Sequence, residues 1–460
     1  MACSSELLFP LEFNGLSVVA DDGRVLSYGD LKRFSDEWAE AIPPRTLVFL
    51  LAGNNLESLV AYVGALNHGI VPLMLDAKID QALLKRFDEL YRPSFWYRPD
   101  ANGKYELVKK RETSPGLHPD LALLITTSGS TGAPKLVRQS LRNLKSNAES
   151  IAEYLKIDAT ERPITTLPMN YVYGLSIINS HLIRGATILL TNKTLMQREF
   201  WNFFNEQGAT SFGGVPYTYE MLDKLMFFRR KLPTLRTMTQ AGGKILPELH
   251  RKFAEYAQRE GKDFVVMYGA SEATSRMSYL PPERALDKVG SMGVAIPGGL
   301  FMLVDADGNE IVDPEVTGEL VYEGANVTLG YAECAEDLAK GDERHGRLAT
   351  GDMAKRDADG YYYVVGRKKR FLKIYGNRVN LDETERLVKG AFPDCDIACA
   401  GVDDLMQVFV TDASRCEAVR TYLADKTHLN PVAFRVNPIA TIPKNASGKT
   451  LYKELEPFYG

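Results

Sequence analysis

Apolar and polar positions along the chain change period several times, and each change marks an element. The run "TLVFLLA" (46–52) carries no charge, the pattern of a strand buried on both faces. In "NLESLVAYVGALNHG", Leu56, Leu59, Val60, Val63 and Leu66 keep helical spacing, and Gly69 can end the helix. "IVPLML" then returns as a strand. The alternation recurs at "ATILLT" (186–191), the helical "QREFWNFFNEQG" and "TSFGGV". It recurs again at the helix "PELHRKFAEYAQREG" followed by "FVVMYG" (264–269). Strands alternating with helices predict α/β layers on a largely parallel sheet.

After about residue 300 the pattern changes. "FMLVDADGNEI" and "DADGYYYVVG" read as hairpin strands with Asp-Gly turns. Beyond the basic run "GRKKRFLKIYGNR" come a helix ("LDETERLVKGAF"), strands ("DIACAGV", "MQVFVT"), a helix ("SRCEAVRTYLADK") and a strand-turn-helix ending. This last stretch, on the order of ninety residues, predicts a small α+β domain with its boundary near Arg367 to Lys369.

Composition narrows the function classes. Of 460 residues, 45% are hydrophobic and 25% charged, enough for a large core, and the net charge of -4 gives no reason to expect a nucleic-acid partner. The longest apolar runs are too short to span a bilayer, and "MACSSELLFPLEF" lacks a basic segment before a long apolar one, so a cytoplasmic location is expected. Cys3, Cys334, Cys395, Cys399 and Cys416 form no C-x-x-C, which fits a reducing compartment. The six histidines (His68, His118, His181, His250, His345, His428) complete no metal or nucleophile signature.

Candidate chemistry concentrates in two segments. In "TTSGSTGAPK" (126–135) a buried strand runs into consecutive small polar residues, then Pro134 and Lys135. Glycines free backbone N–H groups to wrap an anion, hydroxyls add donors, and the lysine adds charge. The loop continues into "LVRQS" rather than a helix, which separates it from a P-loop or dinucleotide-binding turn. The second segment, "PKNASGKT" (443–450), ends like a P-loop, but Pro443 occupies the place of the first glycine and cannot supply a positive φ.

Six segments in order resemble the adenylate-forming superfamily, which includes acyl-CoA synthetases, peptide-synthetase adenylation domains and firefly luciferase. "TTSGSTGAPK" is similar to its phosphate loop, and "YGASE" (268–272) to its Tyr-Gly-x-Thr-Glu segment, with Ser271 in the threonine place. "TGELVYEGANVTLGYA" precedes "TGD", which supplies Asp352. "GRKKRFLKIYGNRV" resembles the hinge and the loop after it, and "PKNASGKT" the catalytic-lysine motif.

The resemblance implies roles. Thr127, Ser128, Gly129, Ser130, Thr131 and Gly132, with Lys135, would hold the β and γ phosphates of ATP. Glu272 would hold Mg2+, a hard cation suited to a carboxylate. Tyr268 would stack on adenine, the backbone of Gly242, Gly243 and Lys244 would approach its other face, and Gly269, Ala270 and Ser271 would belong to the same ATP/AMP-binding set. Asp352 would take the ribose hydroxyls, supported by Arg367. Lys449 would be the catalytic lysine of adenylation. Lys369 would be a hinge, with Lys373 and Gly376 facing the site during acyl transfer. The implied organisation is an N-terminal ATP- and acid-binding domain (1–366) of layered α/β subdomains plus a β-rich subdomain, a hinge (367–369) and a mobile α+β domain (370–460).

The resemblance places the acid pocket at "TLPMNYVYGLSII" and "GGVPYTYEML", with Tyr171, Tyr173, Gly174, Val215 and Pro216 as candidates. Residues 166–178 contain no acidic side chain to pair with an ammonium, which favours an aryl or short-to-medium acyl acid over an amino acid. With no carrier domain in the 460 residues, the acyl acceptor is expected from outside: CoA, or phosphopantetheine on a separate acyl carrier protein. The leading expectation is an ATP-dependent acid–thiol ligase. Its rivals are a stand-alone enzyme loading a carrier protein with a carboxylic or amino acid, and an inactive nucleotide-binding protein. Retention of Lys449, Glu272 and Asp352 argues against the last.

Overall fold

The computed structural model describes residues 7–126, 135–368, 370–375, 377–427, 429–444 and 450–459. Two large sheets dominate it. One has nine strands, with Leu16–Ala20, Ile188–Leu190, Pro163–Ile164, Ser211–Gly214, Thr237–Gln240 and Asp263–Gly269 all parallel and antiparallel strands at both edges. The other has seven, with Phe95–Pro99, Leu47–Ala52, Val71–Asp76 and Leu121–Thr126 as its parallel centre.

The apolar run at 47–52 shows why both faces are covered. Val48, Leu50 and Ala52 point into the core between the sheets, where the helices Tyr28–Glu40, Leu56–Asn67 and Val172–Leu182 pack. Leu47, Phe49 and Leu51 point the other way, onto Leu84, Phe87 and Tyr91 of the helix Gln81–Tyr91. The helix Leu56–Asn67 stops where expected, with Gly69 at φ 67. On the outer face of the nine-stranded sheet, Phe200, Trp201 and Phe204 join Phe227 and Phe253 in an aromatic core.

A third sheet, Gly299–Val304, Gly318–Gly324, Arg347–Arg356 and Tyr362–Arg367, is wholly antiparallel, as its Asp-Gly turns predict. From Phe371 onward the chain builds its own three-stranded sheet: Ile397–Val402, Leu405–Val410 and Phe434–Pro438. One face carries Val388, Val419 and Leu423 of two helices, the other Leu455. The last element, expected to be a helix, is a 3-10 helix, Tyr452–Phe458. Pro457 inside it lacks the N–H an α-helical ladder needs.

Candidate active site

Three neighbouring parallel strands end together. Gly214 pairs in register with Gln240, and Gln240 with Val266. The segments leaving these ends are therefore adjacent: Val215-Pro216, Ala241 to Lys244, and Tyr268 to Glu272. A crevice at the carboxyl ends of parallel strands is where open α/β sheets take ligands.

The turn after Thr237–Gln240 is built tightly. Gln240 Nε2 donates to the carbonyls of Ala241 (3.2 Å) and Gly243 (2.9 Å). Gly242 has φ 82, and a Cβ there would lie 2.7 Å from the Tyr171 hydroxyl and 3.1 Å from Val215 Cγ1; one on Gly243 would lie 3.1 Å from Pro216 Cγ. The expected nucleotide turn and acid-pocket residues thus touch. Tyr171 is the N-cap residue of the helix Val172–Leu182, and burial pushes its hydroxyl up to about 12, so it stays protonated. Tyr173 lies deeper, with its hydroxyl 2.8 Å from Thr239 Oγ1. Gly174 is a packing glycine, since a Cβ would meet the Pro168 carbonyl at 2.4 Å.

Asp352 and Arg367 stand opposite each other on adjacent antiparallel strands. Arg367 Nε lies 2.7 Å from Asp352 Oδ1, and the Tyr268 hydroxyl donates to Asp352 Oδ2. Asp352 is buried at 4% exposure. Burial first, and the Asp352 charge second, hold the Tyr268 phenol well above its ordinary pKa. Three residues expected around one nucleoside are joined by a carboxylate with two donors.

The wall beside Glu272 contains residues the sequence did not single out. Strand Gly330–Ala332 pairs with Leu136–Ser140, which sets Tyr331 opposite Val137 and brings it near Lys135. Lys135 Nζ pairs with Glu333 at 2.5 Å and lies 5.8 Å from the Tyr331 ring centre. The Tyr331 hydroxyl donates to Glu272 Oε1, and burial, then the Glu272 charge, raise it to about 12. The Arg344 guanidinium stacks 4.6 Å from the Tyr331 ring and donates to the Glu272 carbonyl at 3.0 Å. Glu272 and the loop-exit lysine therefore share one wall. Among the described residues no group of three or more His, Cys, Asp or Glu side chains gathers around a metal position. A single carboxylate fits Mg2+ that keeps waters and takes phosphate oxygens.

Thr127 to Gly132, Lys369, Gly376 and Lys449 lie outside the described residues. The chain on either side of Lys449 is drawn together: Lys444 and Thr450 form a bridge, and Leu451 N donates to the Pro443 carbonyl at 2.8 Å. Lys373 is exposed, and its backbone N–H donates to Asp403 Oδ1 at 2.7 Å. Lys244 Nζ donates to the Val364 carbonyl at 2.9 Å, and desolvation there, then the Arg386 charge, lower it to about 8.

Just past the expected hinge, Arg370 ties the C-terminal unit to its own tail. Its guanidinium lies 3.6 Å from the Tyr452 ring centre and pairs with Asp382 (2.5 Å) and Glu385 (2.7 Å). The Tyr452 hydroxyl donates to the other Glu385 oxygen at 2.9 Å. Tyr452 follows Lys449 by three residues.

The family described as AMP-binding enzyme matches residues 88–332. The sulfoacetate–CoA ligase of Cupriavidus necator is 28% identical over 76% of this chain and 70% of its own length. The indoleacetate–CoA ligase of Aromatoleum aromaticum is 33% identical over 62% of this chain and 56% of its own. The structure of o-succinylbenzoate CoA synthetase from Bacillus subtilis, in complex with its acyl-adenylate intermediate, superposes with a TM-score of 0.79. It is 21% identical and covers 96% of this chain and 95% of that one, a likeness of fold.

Proposed function

Because the chain belongs to the AMP-binding enzyme family, we propose that it is an ATP-dependent acid–thiol ligase that joins a carboxylic acid to CoA through an acyl-adenylate. The observation that carries this reading is the Tyr268–Asp352–Arg367 cluster at the strand ends, one segment away from the turn that touches Tyr171. The CoA-ligase relatives support CoA as the acceptor.

In the first half-reaction a carboxylate oxygen attacks the α-phosphorus of ATP, the α–β bridging P–O bond breaks, and pyrophosphate leaves. Both reactants are anions, so the work of the protein is positioning and charge. Asp352 accepts from the ribose hydroxyls, and Arg367 orients it. Tyr268 and the Gly242-Gly243 turn border the base. Lys135 and the 127–132 loop hold the outgoing phosphates. Glu272, oriented by Tyr331, supplies the carboxylate for Mg2+, which neutralises phosphate charge when bound. Lys449 supplies the moving positive charge. In the second half-reaction a thiol sulfur attacks the acyl carbon and AMP leaves.

The 1–366 and 370–460 units would exchange positions about residues 367–369 between the steps, taking Lys449 away and bringing Lys373 and Gly376 in. The exposed residues Arg367 and Lys368 and the separate C-terminal core support this division. Among the described residues no helix is long and apolar enough to cross a membrane. The free cysteines Cys334, Cys395, Cys399 and Cys416 support a cytoplasmic setting.

Exchange of labelled pyrophosphate into ATP, run over a panel of acids, tests the reading. Acid-dependent exchange is expected, followed by acyl-CoA on adding CoA. Exchange without CoA transfer, but with loading of a carrier protein, would replace the acceptor; no exchange with any acid would defeat the ligase reading.

A further inference from the structure

Among the described residues, two arginine side chains are fully buried, Arg138 and Arg276. Their surroundings differ in kind. Arg138 pairs with Glu343 at 2.5 Å and donates to the carbonyls of Leu329, Tyr331, Lys340 and Gly341. Arg276, 2% exposed, meets only neutral groups among the described residues. Its Nε donates to Ser176 Oγ at 3.2 Å. Nη1 donates to the Tyr154 hydroxyl at 3.2 Å and approaches Met267 Sδ at 3.4 Å. The Tyr173 ring centre lies 5.1 Å from Cζ. Among the described residues no carboxylate lies within ion-pair distance of it.

A guanidinium keeps its charge inside proteins. Holding one away from water without an anion costs several kcal/mol, which neutral hydroxyls and a ring face offset only in part. Such a group fits a site whose anion arrives with a ligand.

The position of Arg276 says which ligand. It opens the strand Arg276–Tyr279, opposite Gly269, directly behind the Tyr268 to Glu272 segment. Its partners belong to the acid side. Tyr173 and Ser176 stand on the helix that Tyr171 caps, and the Tyr173 and Tyr171 rings are 6.4 Å apart. A cavity of about 20 Å³, room for about one water, borders Arg276, with Thr239, Ser211 and His181 also lining it. Burial lowers the His181 imidazole to about 3, so it stays neutral there. Glu161, which also lines this cavity, pairs with Arg236 (3.1 Å) and accepts from the Thr210 hydroxyl.

We infer that the acid this protein activates carries a second oxyanionic group, a carboxylate or sulfonate, which is seated against Arg276 at the deep end of the pocket. The inference rests on the ligase reading and names its substrate class. The reacting carboxylate faces the nucleotide, and the second anion passes Tyr171 to reach the guanidinium. There it takes over the contact the Tyr173 ring now makes. A straight monocarboxylic acid of equal length would leave Arg276 buried and unpaired.

Pyrophosphate exchange with matched acids decides it: dicarboxylic and ω-sulfo acids against monocarboxylic acids of equal length, for wild type and Arg276→Gln. Wild type should favour the dianions by roughly 10²-fold in kcat/KM, the cost of stranding one partner of a buried pair. The variant should lose that preference through KM for the acid, with KM for ATP kept within about threefold, a margin well under the tenfold that 1.4 kcal/mol represents. The dicarboxylic and ω-sulfo arms tell the two oxyanions apart. Wild type preferring monoanionic acids, or an unchanged preference in Arg276→Gln, would overturn the inference. A second readout covers a misfolded variant or an absence of exchange: a dicarboxylate should raise the Tm of the wild-type chain more than the monocarboxylate does. Absence of exchange with that Tm difference present would remove the ligase reading and keep the anion site. Absence of the difference would remove the site.

Discussion

Replacing Asp352 by Asn keeps the shape of the side chain and removes its charge, so it separates the two roles assigned to this carboxylate. Within the fold, the Tyr268 hydroxyl exchanges a charged acceptor for a neutral one, a drop from about 1.5–3 to about 0.5–1.5 kcal/mol. The ion pair with Arg367 is lost as well. That side chain is 59% exposed, so the pair contributes about 1 kcal/mol at most. Together the fold loses about 2 kcal/mol, a few degrees in Tm for a chain of this size. For the nucleotide the loss is larger. One or two ribose hydroxyls lose a charged acceptor at about 1.5 kcal/mol each, which raises KM for ATP roughly 10- to 100-fold. Because the ribose does not change charge during the reaction, kcat at saturating ATP should fall less than about tenfold. Initial rates of pyrophosphate exchange against ATP concentration, with a melting curve on the same sample, measure both. A KM for ATP within twofold of wild type, alongside the expected fall in Tm, would refute the ribose role and leave Asp352 a structural partner of Tyr268.

Other outcomes follow from the same geometry. Gly242→Ala forces a Cβ into a left-handed backbone at about 1–2 kcal/mol and against the Tyr171 hydroxyl at 2.7 Å. Acid-dependent kcat/KM should fall at least about tenfold, and adding Tyr171→Phe should restore part of it; full activity in the single variant would contradict the close approach. Tyr331→Phe strips the donor from Glu272 and should raise the Mg2+ concentration for half-maximal exchange by roughly tenfold, with an unchanged Mg2+ curve counting against the metal role. Lys449→Ala should slow adenylation by roughly 10²–10³ with Tm unchanged, and a defect confined to thiol transfer would reassign the lysine. His250 is fully buried, its Nε2–H donating to the Ala285 carbonyl at 2.8 Å, and burial lowers it to about 4. Its folded pKa lies below the unfolded value of about 6.5, so its contribution is complete above that pH and is lost as pH falls from there toward about 4. The loss reaches about 3 kcal/mol, and His250→Gln should flatten the decline of Tm over that window.

The layered α/β body was legible because its central strands are buried on both sides and read as unbroken apolar runs, as at 47–52 and 70–75. Helix ends followed local chemistry, as at Gly69. The partnership of Asp352 and Arg367 was suggested by resemblance, but its geometry was not readable from spacing. A simple hairpin about the Asp-Gly turn would set Gly366 opposite Asp352. A register shift between Met353 and Ala354 instead moves the match to Arg367, and one residue of slip exchanges the faces of a strand. Tyr331 and Arg344 escaped notice because pairing between 330–332 and 136–138 joins segments nearly two hundred residues apart. Arg276 reads in sequence as the polar start of a short strand; only the packing of Tyr154, Tyr173 and Met267 around it reveals a buried charge.

The central claim is that a carboxylate oxygen becomes bonded to the α-phosphorus. Supplying the acid with both carboxylate oxygens as 18O, together with unlabelled ATP and CoA, and weighing the AMP by mass spectrometry tests it directly. The account predicts one 18O atom in each AMP released, because thiol attack at the acyl carbon leaves that oxygen on phosphorus. Unlabelled AMP, or label in inorganic phosphate with ADP as the product, would contradict it.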